Sequence, residues 1–316
     1  MNILLTAIGS FSAMSVIETL RRDGNYVVGC DIYPKEWHLE AMRCNTFYQA
    51  PYATKKIEYI NFLFEVATKE RIDIIIPLTD LEIDVINEVR EQFEKRKIIL
   101  GIPSKEVLAI ARDKYKLYKT FYKDGAVPSI PTFKVGVDAI PTDIVPCVAK
   151  PFDGRSSEGL YRCYTQQEYD KASIDNRYII QRMVMGNIIT VDYVRNASTC
   201  ESFCVPREEL LRTKNGAGIT VRIFSDKELV ELVSHIGETI NINGCVNLEF
   251  IKNDGKYYLI DINPRFSAGV AFSLMAGYDM ITSHVGCHTD GKIMAPVNLR
   301  EQIIVKSYSE NTTRYF

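Results

Sequence analysis

The chain has 316 residues, a hydrophobic fraction of 46%, a charged fraction of 25% and a formal net charge of −2. These values describe an ordinary globular chain, long enough for two or three subdomains with cores of their own. The near-neutral charge gives no footprint for nucleic acid or an anionic membrane, and no run approaches the roughly 20 apolar residues of a membrane span.

The opening MNILLTAIGS has no basic n-region and no small-residue cleavage site, so a secretory leader is not expected. The eight cysteines are scattered without CxxC pairs, which suits reduced thiols and a cytoplasmic location. Cys200 and Cys204 have no histidine nearby. His284 and His288 are four apart and can share a helix face, but no third metal ligand is evident.

Residues 1–110 alternate apolar strands with helical stretches. Ile3–Ala7, Tyr26–Cys30, Ile72–Pro77 and Ile98–Gly101 read as strands; Ala13–Arg22, Lys56–Glu70 and Glu82–Lys95 have helical periodicity. This order predicts a parallel sheet covered by helices on both faces. The Gly9-Ser10 turn and Asp31 resemble parts of a dinucleotide site, but Phe11 and Met14 stand where small residues would let a pyrophosphate approach, which argues against a nicotinamide-dependent oxidoreductase. Thr79, Asp80 and Glu82 follow the carboxyl end of a strand. They can line a substrate crevice or simply start a helix.

Residues 112–124 form a basic helix with an aromatic stripe, ended by Gly125, and Ser129–Phe133 then enters a smaller sheet. In Pro146–Gly159 a strand ends on Lys150, Pro151 is expected to stop pairing, and a loop with Gly154, Ser156, Ser157 and Gly159 follows. Small residues and hydroxyls of this kind close over phosphate oxygens, and lysine supplies a compact charge for them; a flexible surface loop explains the glycines but not the lysine. Arg177–Val184 reads as a strand, Asp226–Ile242 as an amphipathic helix. Arg207 and Arg212 are either functional cations or edge-strand charges.

Two further strands flank Asn253-Asp254-Gly255. Val246, Leu248, Phe250, Tyr258, Ile260 and Ile262 alternate with Asn247, Glu249, Asp261 and Asn263, so one face is apolar and the other carries carboxylates and amides. Asp261 and Asn263 lie about 6–7 Å apart on one face. A two-residue turn would pair Glu249 with Ile260 and send Asp261 to the opposite face. The expected connection is therefore a three-residue turn, Asn253-Asp254-Gly255, with Gly255 left-handed and a bulge. Hard oxygen ligands in such a set suit Mg²⁺; the plainer alternative is a solvated polar face.

The run Ile260–Ser267, IDINPRFS, resembles the metal-binding strand of the ATP-grasp superfamily, and the chain is similar to its carbamoyl-phosphate-synthase large-subunit-like branch. Further motifs recur in order along nearly the whole length. The resemblance implies an α/β, Rossmann-like preATP-grasp domain (1–110), followed by an α+β ATP-grasp fold with a small lobe (111–185) and a large lobe (186–316). It implies ATP with one or two Mg²⁺ as cofactors, small-molecule carboxylate and amine substrates, and room for a homodimer.

By the same resemblance Lys114 and Lys150 hold phosphates, Gly154, Ser156 and Ser157 belong to the phosphate loop, and Gln181, Arg182, Met183 and Val184 form the hinge to adenine. Glu249, Asp261 and Asn263 are the metal ligands, while Arg265 and Arg207 serve catalysis. Three positions depart from the family pattern: Glu158 replaces the loop's basic residue, Gln181 an adenine-binding Glu, and Ile188 a ribose-binding Glu. The implied reaction is carboxylate–amine (or carboxylate–thiol) ligation through an acylphosphate. A protein of the same fold that binds ATP without ligating is the alternative.

Overall fold

A computed structural model of the chain describes residues 1–155, 158–214 and 216–314. The predicted phosphate-loop residues Ser156 and Ser157 lie outside the described residues.

The first hundred residues run β1 (Asn2–Thr6), α1 (Ala13–Arg22), β2 (Tyr26–Asp31), α2 (Leu39–Arg43), β3 (Thr46–Gln49), α3 (Lys56–Lys69), β4 (Ile74–Pro77), α4 (Asp80–Glu88), α5 (Arg90–Lys95) and β5 (Ile99–Leu100). The strands form a parallel sheet in the order β3-β2-β1-β4-β5. Continuous apolar runs such as Ile74–Ile76 are what a sheet buried on both faces requires. Leu4, Val28 and Ile75 face α3, α4 and α5, where Tyr59, Leu63, Ile83 and Phe93 complete one cluster. The helix expected over Glu82–Lys95 is two helices, broken at Val89. The edge strand β3 was not anticipated, because Thr-Phe-Tyr-Gln lacks a buried face: all four side chains are partly or fully exposed.

Next come α6 (Lys105–Ala111) and α7 (Lys114–Asp124). Asp113 caps α7 by accepting from the backbone N–H groups of Tyr115 and Lys116, both at 3.0 Å, and Gly125 ends it at φ 76°. A four-stranded antiparallel sheet follows: β6 (Thr132–Lys134), β7 (Cys147–Pro151), β8 (Tyr161–Cys163), then α8 (Gln166–Lys171) and β9 (Tyr178–Arg182), ordered β6-β9-β7-β8. Pro151 does not stop the pairing. It sits opposite Tyr178, and the Phe152 N–H still donates to the Arg177 carbonyl at 2.9 Å, because proline removes a donor but not register.

The last third holds β10 (Asn187–Arg195), β11 (Ser202–Arg212), β12 (Gly218–Ile223), α9 (Lys227–Thr239), β13 (Gly244–Asn253), β14 (Lys256–Asn263), α10 (Val270–Ala276), α11 (Met280–His288) and β15 (Gln302–Val305). Its six strands are antiparallel, in the order β14-β13-β10-β11-β12-β15. α9, α6 and α7 bury Leu229, Val233, Val107, Leu117 and Phe121 against one face. On the other, Phe266, Tyr278 and Ile281 join Ile3, Leu5 and Ile76 of the N-terminal sheet and Ile17 of α1 in a single cluster. At roughly 1.5–3 kcal/mol per buried aliphatic or aromatic side chain, this shared packing fixes the two sheets to each other.

The β13–β14 hairpin corrects the expected turn. Asn253 pairs with Lys256, so the connection is two residues, Asp254 and Gly255, both at positive φ (46° and 76°). The extra residue is Ile260 instead: Phe250 pairs with Leu259, Glu249 with Asp261, and a bulge lies between. The strand therefore turns Tyr257, Leu259 and Ile262 into the core, not Tyr258 and Ile260.

Candidate active site

The four-stranded and six-stranded sheets face each other across a cleft of about 290 Å³. β7 brings Lys150 to one wall and β9 brings Gln181; Met183 and Val184 line the strand's exit, and Gly154, Arg155 and Glu158 line the loop side. The opposite floor is Ile188 of β10, Glu249 and Ile251 of β13, and Ile260 and Asp261 of β14. The bulge is what puts Ile260 and Asp261 side by side on that floor, where a regular strand would send one of them into the core.

Opposite charges pair within the cleft. Lys114 Nζ lies 3.2 Å from Asp261 Oδ2 and donates to the Gly154 carbonyl at 2.9 Å. Arg212 meets Glu249 Oε2 at 3.3 Å. Lys150 is pushed down to about 8, first by burial and then by the Lys114 charge, with Asp261 and Glu249 opposing. Asn263 donates from Nδ2 to Glu249 Oε1 at 3.3 Å. Among the described residues no three His, Cys, Asp or Glu side chains gather into a cation cage. The paired carboxylates plus the Asn263 amide nevertheless fit Mg²⁺, which takes one or two carboxylates and completes its shell with water and phosphate oxygens.

The segment expected as a hinge makes contacts of its own within the protein. Arg182 turns its guanidinium to Asp143, with Nη2 2.7 Å from Oδ2, and the Met183 N–H donates to the Pro146 carbonyl at 2.9 Å. The segment after it docks on the hairpin: Asn253 Nδ2 donates to the Met185 carbonyl at 2.8 Å. Gly186 passes so close to Lys252 that a Cβ would fall 2.2 Å from its carbonyl oxygen.

Arg265 follows Asn263 by two residues and is held by the first residue of α4. Its Nε and Nη2 donate to Asp80 Oδ2 at 3.2 and 3.0 Å, and Nη2 reaches Asn263 Oδ1 at 3.4 Å. Burial pushes the Asp80 carboxyl up, but the guanidinium groups of Arg265 and Arg112 outweigh it and hold it below the usual carboxylate range. Arg112 in turn donates to both Asp84 oxygens, at 2.9 and 3.0 Å. Glu82, weighed with Asp80 for a crevice, is buried and accepts from Thr6, Tyr59 and Thr79, each at 2.8 Å.

The structure brings Lys114, Lys150, Gly154, Gln181, Arg182, Met183, Val184, Glu249 and Asp261 together around one cleft, with Asn263 and Arg265 at its end. It does not bring Arg207 there. That side chain is 2% exposed and bonded to Asp192 Oδ2 at 2.9 Å and Glu209 Oε1 at 3.1 Å. Sequence reasoning missed Arg155, which lines the cleft; it follows the glycine of the loop, which was a usable signal.

The architecture is that of an ATP-binding clamp of two antiparallel lobes behind a parallel α/β sheet. A model of the ATP-grasp domain matches residues 111–269, one of the PylC-like N-terminal domain matches residues 3–100, and the chain belongs to the ATP-grasp family. It is similar to the carbamoyl phosphate synthase large chain of Thermoplasma acidophilum, with 26% identity over 306 residues that cover 85% of this chain and 27% of that one. The chain thus spans about a quarter of that curated relative. Among solved structures, it resembles the biotin carboxylase-beta-gamma-ATP complex from Campylobacter jejuni (TM-score 0.77, 18% identity, covering 93% of this chain and 72% of that one). It also resembles the biotin carboxylase domain dimer of Hydrogenobacter thermophilus 2-oxoglutarate carboxylase with MgADP, ADP and bicarbonate (TM-score 0.74, 17% identity, covering 95% and 73%). No helix among the described residues is long and apolar enough to cross a membrane.

Proposed function

We propose that this protein is an ATP-dependent ligase that activates a small-molecule carboxylate as its acylphosphate and passes the acyl group to an amine or thiol. The observation that carries the reading is the cleft's lining: Lys114 and Lys150 stand with Glu249 and Asp261, Lys114 only 3.2 Å from Asp261, in a space that apolar residues and Gln181 also line. Such an arrangement suits a nucleotide with its base against Met183 and Val184, its ribose over Ile188 and its phosphates toward the lysines. Lys114, Lys150 and the Gly154 loop would hold phosphate oxygens. Glu249, Asp261 and Asn263 would hold one or two Mg²⁺, which when bound neutralises charge on the β- and γ-phosphates.

Phosphoryl transfer needs alignment and charge neutralisation more than covalent help. A carboxylate oxygen of the substrate attacks the γ-phosphorus as its bond to the β-bridging oxygen breaks, leaving ADP and an acylphosphate. The amine or thiol then attacks the acyl carbon, and inorganic phosphate leaves. Arg265, aimed by Asp80, would face the carboxylate or the oxyanion developing on it. Residues 1–110 serve as the substrate-side domain, 111–185 as the small lobe and 186–316 as the large one; a dimer comparable to that of the biotin carboxylase domain is compatible with this reading.

The deciding experiment is ADP release with Mg²⁺, screened against pooled carboxylic acids with pooled amines and thiols. Release that depends on a carboxylate supports the reading. Thermal stabilisation by ATP with no release on any pool would instead point to a nucleotide-binding protein without ligase activity, and stabilisation by NAD(P) alone would overturn both.

A further inference from the structure

We propose that Thr132 sets the base preference of the cleft by deciding which end of the Gln181 amide meets the ligand; the inference rests on the reading of this cleft as a nucleotide site. Thr132 on β6 and Gln181 on β9 are register partners, 3% and 8% exposed. Thr132 Oγ1 lies 2.8 Å from the Ile130 carbonyl oxygen and 2.7 Å from Gln181 Nε2.

With the Thr132 hydroxyl donating to the Ile130 carbonyl at 2.8 Å, its single hydrogen is committed there. The hydroxyl oxygen is then left with lone pairs only, and whichever amide atom approaches it at 2.7 Å must donate. The chemistry of the pair therefore assigns the nitrogen to Thr132 and leaves Oε1 as the end that faces a ligand. An amide free to rotate could present either end; this one is held with its nitrogen at Thr132, so its oxygen is the atom always available to a ligand.

An acceptor at that place favours a base edge bearing an amino group, as adenine does, over one bearing a carbonyl oxygen, as guanine does. The wrong base would set two acceptors against each other at a buried side chain. Neither Thr132 nor Ile130 needs to touch the base for this: Thr132 is a specificity residue acting through Gln181.

The test is competition between ATP and GTP for the unmodified protein and for Thr132→Val and Thr132→Ser, each shown folded by circular dichroism. We expect the unmodified protein to prefer ATP by about a hundredfold, since leaving a buried polar pair mismatched is worth about that ratio. Thr132→Val keeps the volume and β-branching but frees the amide, so the preference should fall at least about tenfold, chiefly through improved GTP binding. Thr132→Ser retains the hydroxyl and should stay within about threefold of the unmodified ratio. A merely structural role for Thr132 would weaken both nucleotides in proportion and leave the ratio unchanged, which would overturn the proposal. Should Thr132→Val fail to fold, Gln181→Met removes the acceptor outright, and a preference of about a hundredfold surviving that change would overturn it equally. Equal affinity of the unmodified protein for ATP and GTP overturns this inference alone, whereas binding of neither overturns the nucleotide reading beneath it.

Discussion

At pH 8 the free protein should carry Lys150 about half protonated, because burial and the nearby Lys114 charge push its ammonium down to about 8. Nucleotide phosphates would supply the negative charge that this environment lacks and return the lysine toward its ordinary value of about 10.4. The sign follows: a group whose pKa rises on binding takes up a proton, and affinity falls as pH climbs above the free-state value. With a free value near 8, binding at pH 8 should take up about half a proton, and ATP affinity should weaken about tenfold between pH 7 and pH 9. Phosphate monoesters finish ionising nearer pH 6 and contribute little in this window. The assay is titration calorimetry in buffers of different ionisation enthalpy, where the slope of binding enthalpy gives the protons taken up. Lys150→Arg keeps a cation that does not titrate in this range and should abolish the uptake. No uptake in the unmodified protein at pH 8, or undiminished uptake in Lys150→Arg, would show that the phosphates lie elsewhere.

Acid should loosen the fold through the histidines of α11. Burial lowers His284 far below the ordinary imidazole range and His288 to about 4, so stability present above about pH 6.5 is lost as pH falls toward 4; His288 alone accounts for about 2 kcal/mol between pH 7 and pH 5, and a denaturation midpoint that does not move over that interval would contradict this. Arg207→Met should destabilise by about 3–5 kcal/mol, since it strands two buried carboxylates; Arg265→Ala should cost less stability, because Arg112 still faces Asp80, and should lower turnover while sparing ATP affinity, and the opposite pattern would exchange the roles given to the two arginines. Ile188 on the cleft floor offers no acceptor to ribose hydroxyls, so 2′-deoxy-ATP should bind within about threefold of ATP; a hundredfold preference for ATP would place another residue at the sugar.

Much of this architecture is written in local patterns. Runs such as Ile74–Ile76 can only be buried strands, and a lysine at the end of one strand with carboxylates alternating along another survives as a spatial grouping because strand periodicity carries it. The place of the bulge was illegible for a specific reason. Tyr257, Tyr258, Leu259 and Ile260 are all apolar, so alternation has no parity there, and nothing marks which of them is the extra residue. Arg207 misled because its sequence neighbours do not reveal that Asp192, on the adjacent strand, and Glu209 enclose it. The anchoring of Arg265 by Asp80 spans 185 positions; no spacing rule reaches that far.

The cluster that joins Ile3, Leu5 and Ile76 to Tyr278 and Ile281 has a consequence for motion. Prying the parallel sheet from the six-stranded one would expose apolar surface on both, so these parts should move and unfold as one body. The four-stranded sheet keeps its own small cluster of Ile144, Cys147, Cys163 and Ile180, and can tilt without opening either core. Opening and closing over a nucleotide should thus be a swing of that lobe alone. The carboxylates and Arg265 form a fixed anvil, and Lys150 and Gln181 ride on the hammer.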